Sequence, residues 1–272
     1  NILPYFKKEL CSVSNNREIT SWAYITLEHI LGYNRSDCII NAENHINSDV
    51  VFRIKQVVEN LKNHKPLQYI LCETDFYGLK LEVNSHTLIP RKETEELINW
   101  ILNDNFSTAL DIGTGSGCIA IALARNIQAN ILAIDVSIDA LEVAKRNAKR
   151  NCVDINFLHK DIFKLQALPK VDVIISNPPY ILDKEKEKMR DNVLKYEPHL
   201  ALFVNDNEPL LFYKKITELA KESLNNGGRI FFEINELYGD EIINLLSDFG
   251  FVNITLKKDI NDKDRMIKAT KN

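Results

Sequence analysis

A glycine-rich turn follows an apolar run in the middle of the chain. Residues 109–117 read Ala-Leu-Asp-Ile-Gly-Thr-Gly-Ser-Gly, a pattern that predicts a buried strand, a tight turn and then a helix. Such a turn lets the backbone approach a nucleotide-like ligand closely. A dinucleotide fingerprint needs its third glycine where this chain has Cys118, and Asp111 just before the turn would repel a pyrophosphate. The turn therefore predicts a ligand that is a neutral nucleoside or carries positive charge.

Two more aspartates end the next two predicted strands. Asp135 follows residues 131–134, where a carboxylate can accept hydrogen bonds from both ribose hydroxyls, and Asp161 follows residues 157–160. Asp161 could accept from an adenine amino group, with Ile162 against the ring. One aspartate at a strand end is more often a helix cap or a turn residue, but three in register with a glycine-rich turn predict a cofactor site. The residues that we predict to bind the cofactor are Asp111, Gly113, Thr114, Gly115, Ser116, Gly117, Asp135, Asp161, Ile162 and Asn177.

With these features the chain resembles class I S-adenosylmethionine-dependent methyltransferases. The resemblance implies S-adenosyl-L-methionine as the cofactor and S-adenosyl-L-homocysteine as the product.

The fourth predicted strand, 171–176, ends in the sequence Asn177-Pro178-Pro179-Tyr180. An amide nitrogen is a poor nucleophile because its lone pair is delocalised, so a catalyst should hold both N–H groups while the lone pair faces the methyl carbon. The side-chain oxygen of Asn177 and the backbone carbonyl of Pro178 can supply two acceptors, and the prolines stiffen the loop. We therefore predict Asn177 and Pro178 as catalytic residues.

Pro179 and Tyr180 complete the predicted substrate site, because the Tyr180 ring offers a flat face to a planar amide or base. The plainer alternative is that the two prolines only end the strand. The same tetrapeptide occurs in methyltransferases that act on adenine amines, guanine amines and glutamine amides, so it does not identify the substrate.

The first part of the chain, residues 1–65, has apolar residues at the three-to-four spacing of helices. Thr20-Ser21 and residues 47–49 are candidate N-caps, and Gly32 lies where a helix would end. The pattern predicts a small helical bundle without a catalytic cluster. Such a bundle is either a substrate-recognition domain or a structural cap.

Residues 66–92 form a predicted β-hairpin linker, with β-favouring runs at 67–71 and 79–83 around a turn at 76–78. In residues 93–272, helical and strand patterns alternate, which predicts a mostly parallel sheet with helices on both faces. The expected fold class is therefore α/β, a Rossmann-like methyltransferase domain joined to the helical bundle. The elements predicted after the linker are 93–102, 108–112, 118–125, 131–134, 138–151, 171–176, 210–224, 228–234 and 239–249.

Composition narrows the function classes. The 34 Lys and Arg against 38 Asp and Glu give a net charge of −4, which weighs against a stable nucleic-acid partner. The five cysteines are widely separated, without a pair at metal-ligand spacing, so neither a metal site nor a disulfide framework is expected. No run has the roughly 20 apolar residues of a membrane span, and residues 1–30 do not resemble a signal peptide. A cytoplasmic protein is the simplest interpretation.

Further motifs extend the resemblance along the whole chain. Together they resemble the protein-(glutamine-N5) methyltransferases of peptide chain release factors, the PrmC or HemK family. The motifs are Pro66-Leu67-Gln68-Tyr69-Ile70, Phe76-Tyr77-Gly78-Leu79, the run 88–97 from Leu-Ile-Pro-Arg to Glu-Glu-Leu, Tyr196-Glu197-Pro198, Gly227-Gly228 followed by Glu233, and Asp262 to Arg265.

The resemblance implies a substrate and site roles. The target would be the glutamine of the Gly-Gly-Gln motif in class I release factors, with Asn177 and Pro178 binding its side-chain amide. Glu197 would lie at the same mouth, although a surface glutamate before a proline is the plain alternative. Pro90, Arg91 and Thr94 would border the cofactor or the substrate channel, and Arg91 could instead be a structural tie between domains.

The chain departs from the family pattern at Cys72, Asn235 and Asn261, where glycine is common; these positions affect turns rather than chemistry. Two other functions stay open. A methyltransferase that acts on an exocyclic amino group of a nucleic-acid base should show a basic, aromatic-lined groove, for which this sequence gives no sign. A non-catalytic binding module would use the fold only as a scaffold, against which the intact Asp111, Gly113, Asn177 and Pro178 argue.

Overall fold

The computed structural model describes all residues, 1–272. The helices are α1 (Ile2–Leu10), α2 (Asn16–Leu31), α3 (Arg35–Ile40), α4 (Ser48–Lys62), α5 (Leu67–Leu71), α6 (Lys92–Ile101), α7 (Cys118–Asn126), α8 (Ile138–Arg150), α9 (Asp191–Tyr196), α10 (Leu211–Ser223) and α11 (Gly239–Asp248). The strands are β1 (Glu73–Phe76), β2 (Leu79–Glu82), β3 (Thr108–Ile112), β4 (Asn130–Asp135), β5 (Asn156–His159), β6 (Val171–Ser176), β7 (Ile181–Leu182), β8 (Phe203–Val204), β9 (Leu224–Glu233), β10 (Phe251–Lys258) and β11 (Asp264–Lys271).

The chain divides into two compact units. The first comprises Asn1–Glu73 with Arg190–Tyr196, and the second comprises Thr74–Met189 with Glu197–Asn272. The predicted three-part division into residues 1–65, 66–92 and 93–272 stays a prediction. None of the helices has the length and apolar character needed to cross a membrane.

The first unit is helical, as the apolar spacing predicts. Its core consists of side chains that lie on one face of α1, α2 and α4, among them Phe6, Leu10, Ile19, Ala23, Ile54, Val58 and Leu61. Asn47 caps α4 by accepting a hydrogen bond from the Asp49 backbone, and Gly32 ends α2 in a left-handed conformation. The cap of α2 is Asn15, however, so the prediction of Thr20-Ser21 was wrong: both residues lie inside that helix.

The predicted strand at 67–71 is also wrong, because these residues form α5. The Pro66 carbonyl accepts hydrogen bonds from the backbone of Tyr69 and Ile70, which closes the turn. Leu67 and Leu71 are four positions apart and therefore bury the same face of a helix in the core of the first unit. The hairpin itself exists as β1 and β2, joined through Tyr77-Gly78, both of which have positive φ.

The second unit contains a seven-stranded sheet of order β10-β11-β9-β6-β3-β4-β5. The five strands from β9 to β5 are parallel, and β10 and β11 add antiparallel at one edge. The α/β, Rossmann-like fold class is therefore confirmed. Strand β5 lies where the strand before Asp161 was predicted, whereas β10 and β11 were not predicted.

Parallel pairing aligns the carboxyl ends of the central strands. Ile112 at the end of β3 lies in register with Ile134 in β4 and with Ser176 in β6, and Ser176 lies in register with Phe232 in β9. The segments that follow these strands therefore meet at one edge of the sheet, the usual place of a ligand in an open α/β sheet.

Candidate active site

A cavity of about 480 Å³ lies at the carboxyl edge of the parallel strands. This is within the usual range for small-molecule sites, which is roughly 300–1,000 Å³. Of the predicted residues, the structure brings Gly113, Thr114, Gly115, Ser116, Asp135, Asp161, Ile162, Asn177, Pro178 and Pro179 together in its lining. Asp111, Gly117, Tyr180 and Glu197 are not among the lining residues.

The three glycines of the turn have different tasks, although all have positive φ. A Cβ added to Gly113 or Gly115 would have no atom within 4 Å, so their backbone faces open space. A Cβ on Gly117 would instead lie 3.0 Å from the Ile121 side chain and 3.1 Å from Cβ of Ala144. Gly113 and Gly115 therefore leave room for a ligand, while Gly117 lets α7 pack against α8.

Asp111 is a buried carboxyl group behind the turn. The Thr114 hydroxyl donates to its Oδ2 at 2.7 Å, whereas its Oδ1 has no hydrogen-bond partner in the protein. Burial raises the pKa of Asp111 to about 7, against the opposing effect of the Thr114 hydrogen bond. The group is therefore an acceptor whose charge the protein alone satisfies poorly.

Asp135 holds the turn from the end of β4. Its Oδ2 accepts from the Gly115 backbone at 2.8 Å and its Oδ1 accepts from the Ser137 backbone at 2.9 Å. A carboxylate has about four lone-pair positions, so Asp135 can still accept a hydrogen bond from a ligand. Burial raises the pKa of Asp135, and the backbone donors oppose that rise. Asp135 thus has the free acceptors that its predicted role at a ribose requires.

Asp161 also lines the cavity, but its carboxylate is partly used. Its Oδ1 accepts from the Phe163 backbone at 3.0 Å, and Lys164 Nζ lies 3.4 Å from its Oδ2. Asp161 therefore caps the short 3₁₀ turn that follows, which is the plainer role of an aspartate at a strand end. Its contact with an adenine amino group stays a prediction.

The loop after β6 places Asn177, Pro178 and Pro179 in the cavity lining. Asn177 is half-buried, and its Nδ2 lies 3.5 Å from the Thr94 hydroxyl. The Tyr180 hydroxyl donates to Glu233 at 3.1 Å. Burial and the nearby Glu233 carboxylate raise the pKa of Tyr180 far above its usual value, so the phenol stays neutral. The predicted stacking of a substrate on the Tyr180 ring stays a prediction.

Glu197 is buried and paired with Arg91. One guanidinium nitrogen of Arg91 lies 2.7 and 2.8 Å from the two carboxylate oxygens, and the Ile89 backbone donates at 3.4 Å. Arg91 lines the cavity and Glu197 does not. Both residues belong to the second unit, so this ion pair ties two segments of that unit. Contact of Glu197 with a substrate stays a prediction.

Comparison with known proteins identifies the family. Residues 4–71 match the PrmC N-terminal domain, and residues 89–197 match the methyltransferase small domain. Proteins named release factor glutamine methyltransferase are 48% identical in Flavobacterium psychrophilum, over 99% of this chain and 98% of that one, and 35% identical in Bacteroides thetaiotaomicron, over 99% of both chains. The chain belongs to the release factor glutamine methyltransferase family. It is an S-adenosylmethionine-dependent methyltransferase.

Solved structures support the fold of this family member. A methyltransferase from Pyrococcus furiosus superposes with a TM-score of 0.56 at 21% identity, covering 83% of this chain and 99% of that one. A 16S rRNA methyltransferase from T. thermophilus, in complex with AdoMet and guanosine, gives 0.52 at 16% identity, covering 74% and 50%. Likeness at such identities establishes the shared class I methyltransferase fold.

The residues of the cavity fit the family's cofactor. The open space at Gly113 and Gly115 admits a ligand close to the backbone, and the Asp135 carboxylate can accept further hydrogen bonds. Asp111, buried behind the turn, has an Oδ1 without a hydrogen-bond partner in the protein. These features suit a nucleoside that bears a cation and no phosphate.

Some lining residues carried no sequence signal. Phe163 and Phe212 both line the cavity and pack edge to face, with ring centroids 5.3 Å apart. Phe163 follows the predicted Ile162 directly and was within reach of the same argument. Phe212 lies in the first turn of α10, a helix that has no motif, so only the fold brings it to the site.

Proposed function

We propose that this chain transfers a methyl group from S-adenosylmethionine to the side-chain amide nitrogen of the glutamine in the Gly-Gly-Gln motif of class I peptide chain release factors. Its family supports the substrate, and one structural observation supports the chemistry. Asn177 and Pro178 lie in the same cavity as the glycine-rich turn and Asp135. An amide-binding loop and a nucleoside-binding turn therefore share one space.

The loop acts by holding the substrate amide. In this proposal the Oδ1 of Asn177 and the carbonyl oxygen of Pro178 each accept one N–H of the glutamine side chain. Fixing both hydrogens orients the nitrogen lone pair and stabilises the positive charge that develops on nitrogen during transfer. Pro178 and Pro179 restrict the backbone, so the two acceptors are in place before the substrate arrives.

The residues on the other side of the cavity bind and orient the cofactor. The Gly113 and Gly115 backbone lies against the cofactor, Asp135 accepts from the ribose hydroxyls, and Asp161 and Ile162 lie beside the adenine. S-adenosylmethionine supplies, when bound, a methyl group activated by a positively charged sulfur. The pKa of Tyr180 is far too high for that residue to act as a base. No dedicated base is required, because a methylated amide becomes strongly acidic and can release its proton to water.

The proposal includes the partner and the location predicted from the sequence. The partner is a class I release factor, a stable nucleic-acid partner is not expected, and the enzyme acts in the cytoplasm. The helical residues 1–65 serve to recognise the folded release factor. Deleting them should leave cofactor binding intact and abolish methylation of the intact factor, while full activity of the truncated enzyme would contradict the recognition role.

A substrate panel tests the proposal. The enzyme is incubated with labelled S-adenosylmethionine and, separately, with purified release factors, tRNA, rRNA and DNA. A release factor whose motif glutamine is replaced by alanine is the matched control. We expect label only in release factors that retain the glutamine. Label in a nucleic acid, with none in a release factor, would support the alternative methyltransferase that acts on an exocyclic base amine.

A further inference from the structure

Glu233 is a fully buried carboxyl group that the proposed chemistry does not use. It ends β9, and its two oxygens accept from two different hydroxyls. The Thr94 hydroxyl donates to Oε2 at 2.6 Å, and the Tyr180 hydroxyl donates to Oε1 at 3.1 Å. Burial raises the pKa of Glu233, and these two donors together with the Arg265 guanidinium oppose that rise and favour the charged form.

The Thr94 hydroxyl connects this carboxylate to the catalytic loop. A carboxylate only accepts hydrogen bonds, so the single proton of the Thr94 hydroxyl is used by Glu233. The Thr94 oxygen can then only accept from its other neighbour. That neighbour is Asn177, whose Nδ2 lies 3.5 Å away. Catalytic hydrogen bonds of this length in a free enzyme commonly shorten once the substrate is bound.

The direction of these bonds fixes which end of the Asn177 amide faces the substrate. The two ends of an asparagine amide have nearly the same shape and differ in hydrogen-bonding role. Because the Thr94 oxygen needs a donor, the NH₂ end of Asn177 faces Thr94. The Oδ1 end of the Asn177 amide then faces the cavity. A reversed amide would present N–H groups to the N–H groups of a glutamine, and neither could accept.

We propose that Glu233, acting through the Thr94 hydroxyl, is a positioning residue that holds the Asn177 amide with its oxygen toward the substrate amide. This inference rests on the proposed function, in which the glutamine amide presents the N–H groups that need an acceptor at that point. Neither Glu233 nor Thr94 takes part in the transfer itself. Their contribution is to prevent Asn177 from adopting the unproductive orientation.

The test compares Thr94→Val with Thr94→Ser. Valine has nearly the shape of threonine and lacks the hydroxyl, whereas serine keeps the hydroxyl and loses only a methyl group. Thr217→Val is the matched control, because Thr217 is also fully buried and its hydroxyl has no hydrogen-bond partner. Each enzyme is assayed with a release factor in single-turnover and steady-state experiments, and its affinity for S-adenosylmethionine is measured by calorimetry.

We expect the transfer rate of Thr94→Val to fall by about 10- to 100-fold, less than removal of a preorganised hydrogen bond typically costs, because Asn177 is still present. The KM for the release factor and the cofactor affinity should change less than about twofold, since the lost group acts on orientation. Thr94→Ser should stay within about threefold of the original transfer rate. Thr217→Val should be unchanged.

A double variant distinguishes a loss of Asn177 positioning from a loss of protein stability. Thr94→Val leaves the Glu233 carboxylate with one donor fewer, which could destabilise the protein. In the double variant Thr94→Val/Glu233→Gln the side chain carries no charge, so the loss of stability should be smaller than with an unpaired carboxylate, while the transfer rate stays low. If either folded variant that lacks the hydroxyl transfers within about threefold of the original rate, the positioning role is wrong. If the unaltered enzyme methylates no release factor, the proposed function is wrong and this inference falls with it.

Discussion

Asp111 makes the stability of the protein depend on pH in a way that one substitution can isolate. Its pKa is raised from 3.8 to about 7 because the carboxyl group is buried. A raised pKa means that the folded state favours the neutral acid. The resulting stabilisation is complete below the unfolded pKa, and it is lost as the pH rises through the folded pKa.

The size of this change in unfolding free energy follows from the pH interval between the unfolded and the folded pKa of Asp111. Between pH 5 and the folded pKa of about 7, the unfolded carboxyl is ionised and the folded one is neutral. Each pH unit in this interval removes about 1.36 kcal/mol of unfolding free energy. The contribution of Asp111 should therefore fall by about 2.7 kcal/mol between pH 5 and pH 8, with little change above pH 7.5.

The assay is urea unfolding, followed by circular dichroism, of the unaltered protein and of Asp111→Asn at pH 5, 6, 7 and 8. Asparagine has the same shape and does not titrate. Asp135 and Glu233, whose pKa values are also raised by burial, titrate in both proteins and so largely cancel in the difference. The unfolding free energy of the unaltered protein should decline relative to that of the variant as the pH rises. A difference that stays constant over this range would refute the reasoning.

Three further predictions concern the ion pair, the packing glycine and the catalytic loop. Arg91→Met should lower the unfolding free energy by about 3 kcal/mol in urea titrations, because it leaves the buried Glu197 carboxylate unpaired; an unchanged value would show that the pair is not a structural tie. Gly117→Ala should lower the unfolding free energy by about 2–4 kcal/mol, because Gly117 has a positive φ and close neighbours. Gly227→Ala should lower it by only about 1 kcal/mol, because Gly227 has a similar φ but open space around it. Equal losses at the two glycines would contradict the packing argument. Asn177→Ala should raise the activation free energy of methyl transfer by about 2–4 kcal/mol, and Asn177→Asp should raise it by less. The cofactor affinity measured by calorimetry should change little. Near-normal transfer by the alanine variant would show that Asn177 is structural.

The sequence predicted those parts of the fold that rest on local patterns. Alternating strands and helices after residue 93 imply a parallel sheet, and the glycine-rich turn marks the end of its first strand. Residues 67–71 were misassigned because a short apolar run with leucines at both ends fits a strand and a helix equally. Strands β10 and β11 were missed because register shifts interrupt their pairing, and because only Phe251 among the residues of β10 is buried.

Site residues that lie at the ends of parallel strands could be predicted from the sequence. Contacts between residues that are distant in sequence could not. Asp135 and Asn177 were predictable because each directly ends a parallel strand, and parallel strands end at one edge. The contact of Thr94 with Glu233 joins α6 to the end of β9, and no spacing rule connects them. Tyr180 was assigned to a substrate from its ring, but its hydroxyl finds a buried acceptor that only the tertiary structure supplies.

The central claim is that the acceptor of the methyl group is the amide nitrogen of one glutamine. Mass spectrometric fragmentation of a class I release factor, after reaction with the enzyme and S-adenosylmethionine, tests this claim most directly. We expect one added methyl group on the side-chain amide of the Gly-Gly-Gln glutamine, and none when the Asn177→Ala variant replaces the enzyme for the same short reaction time. A methyl group on any other residue of the release factor, or an unmodified glutamine after complete reaction, would contradict it.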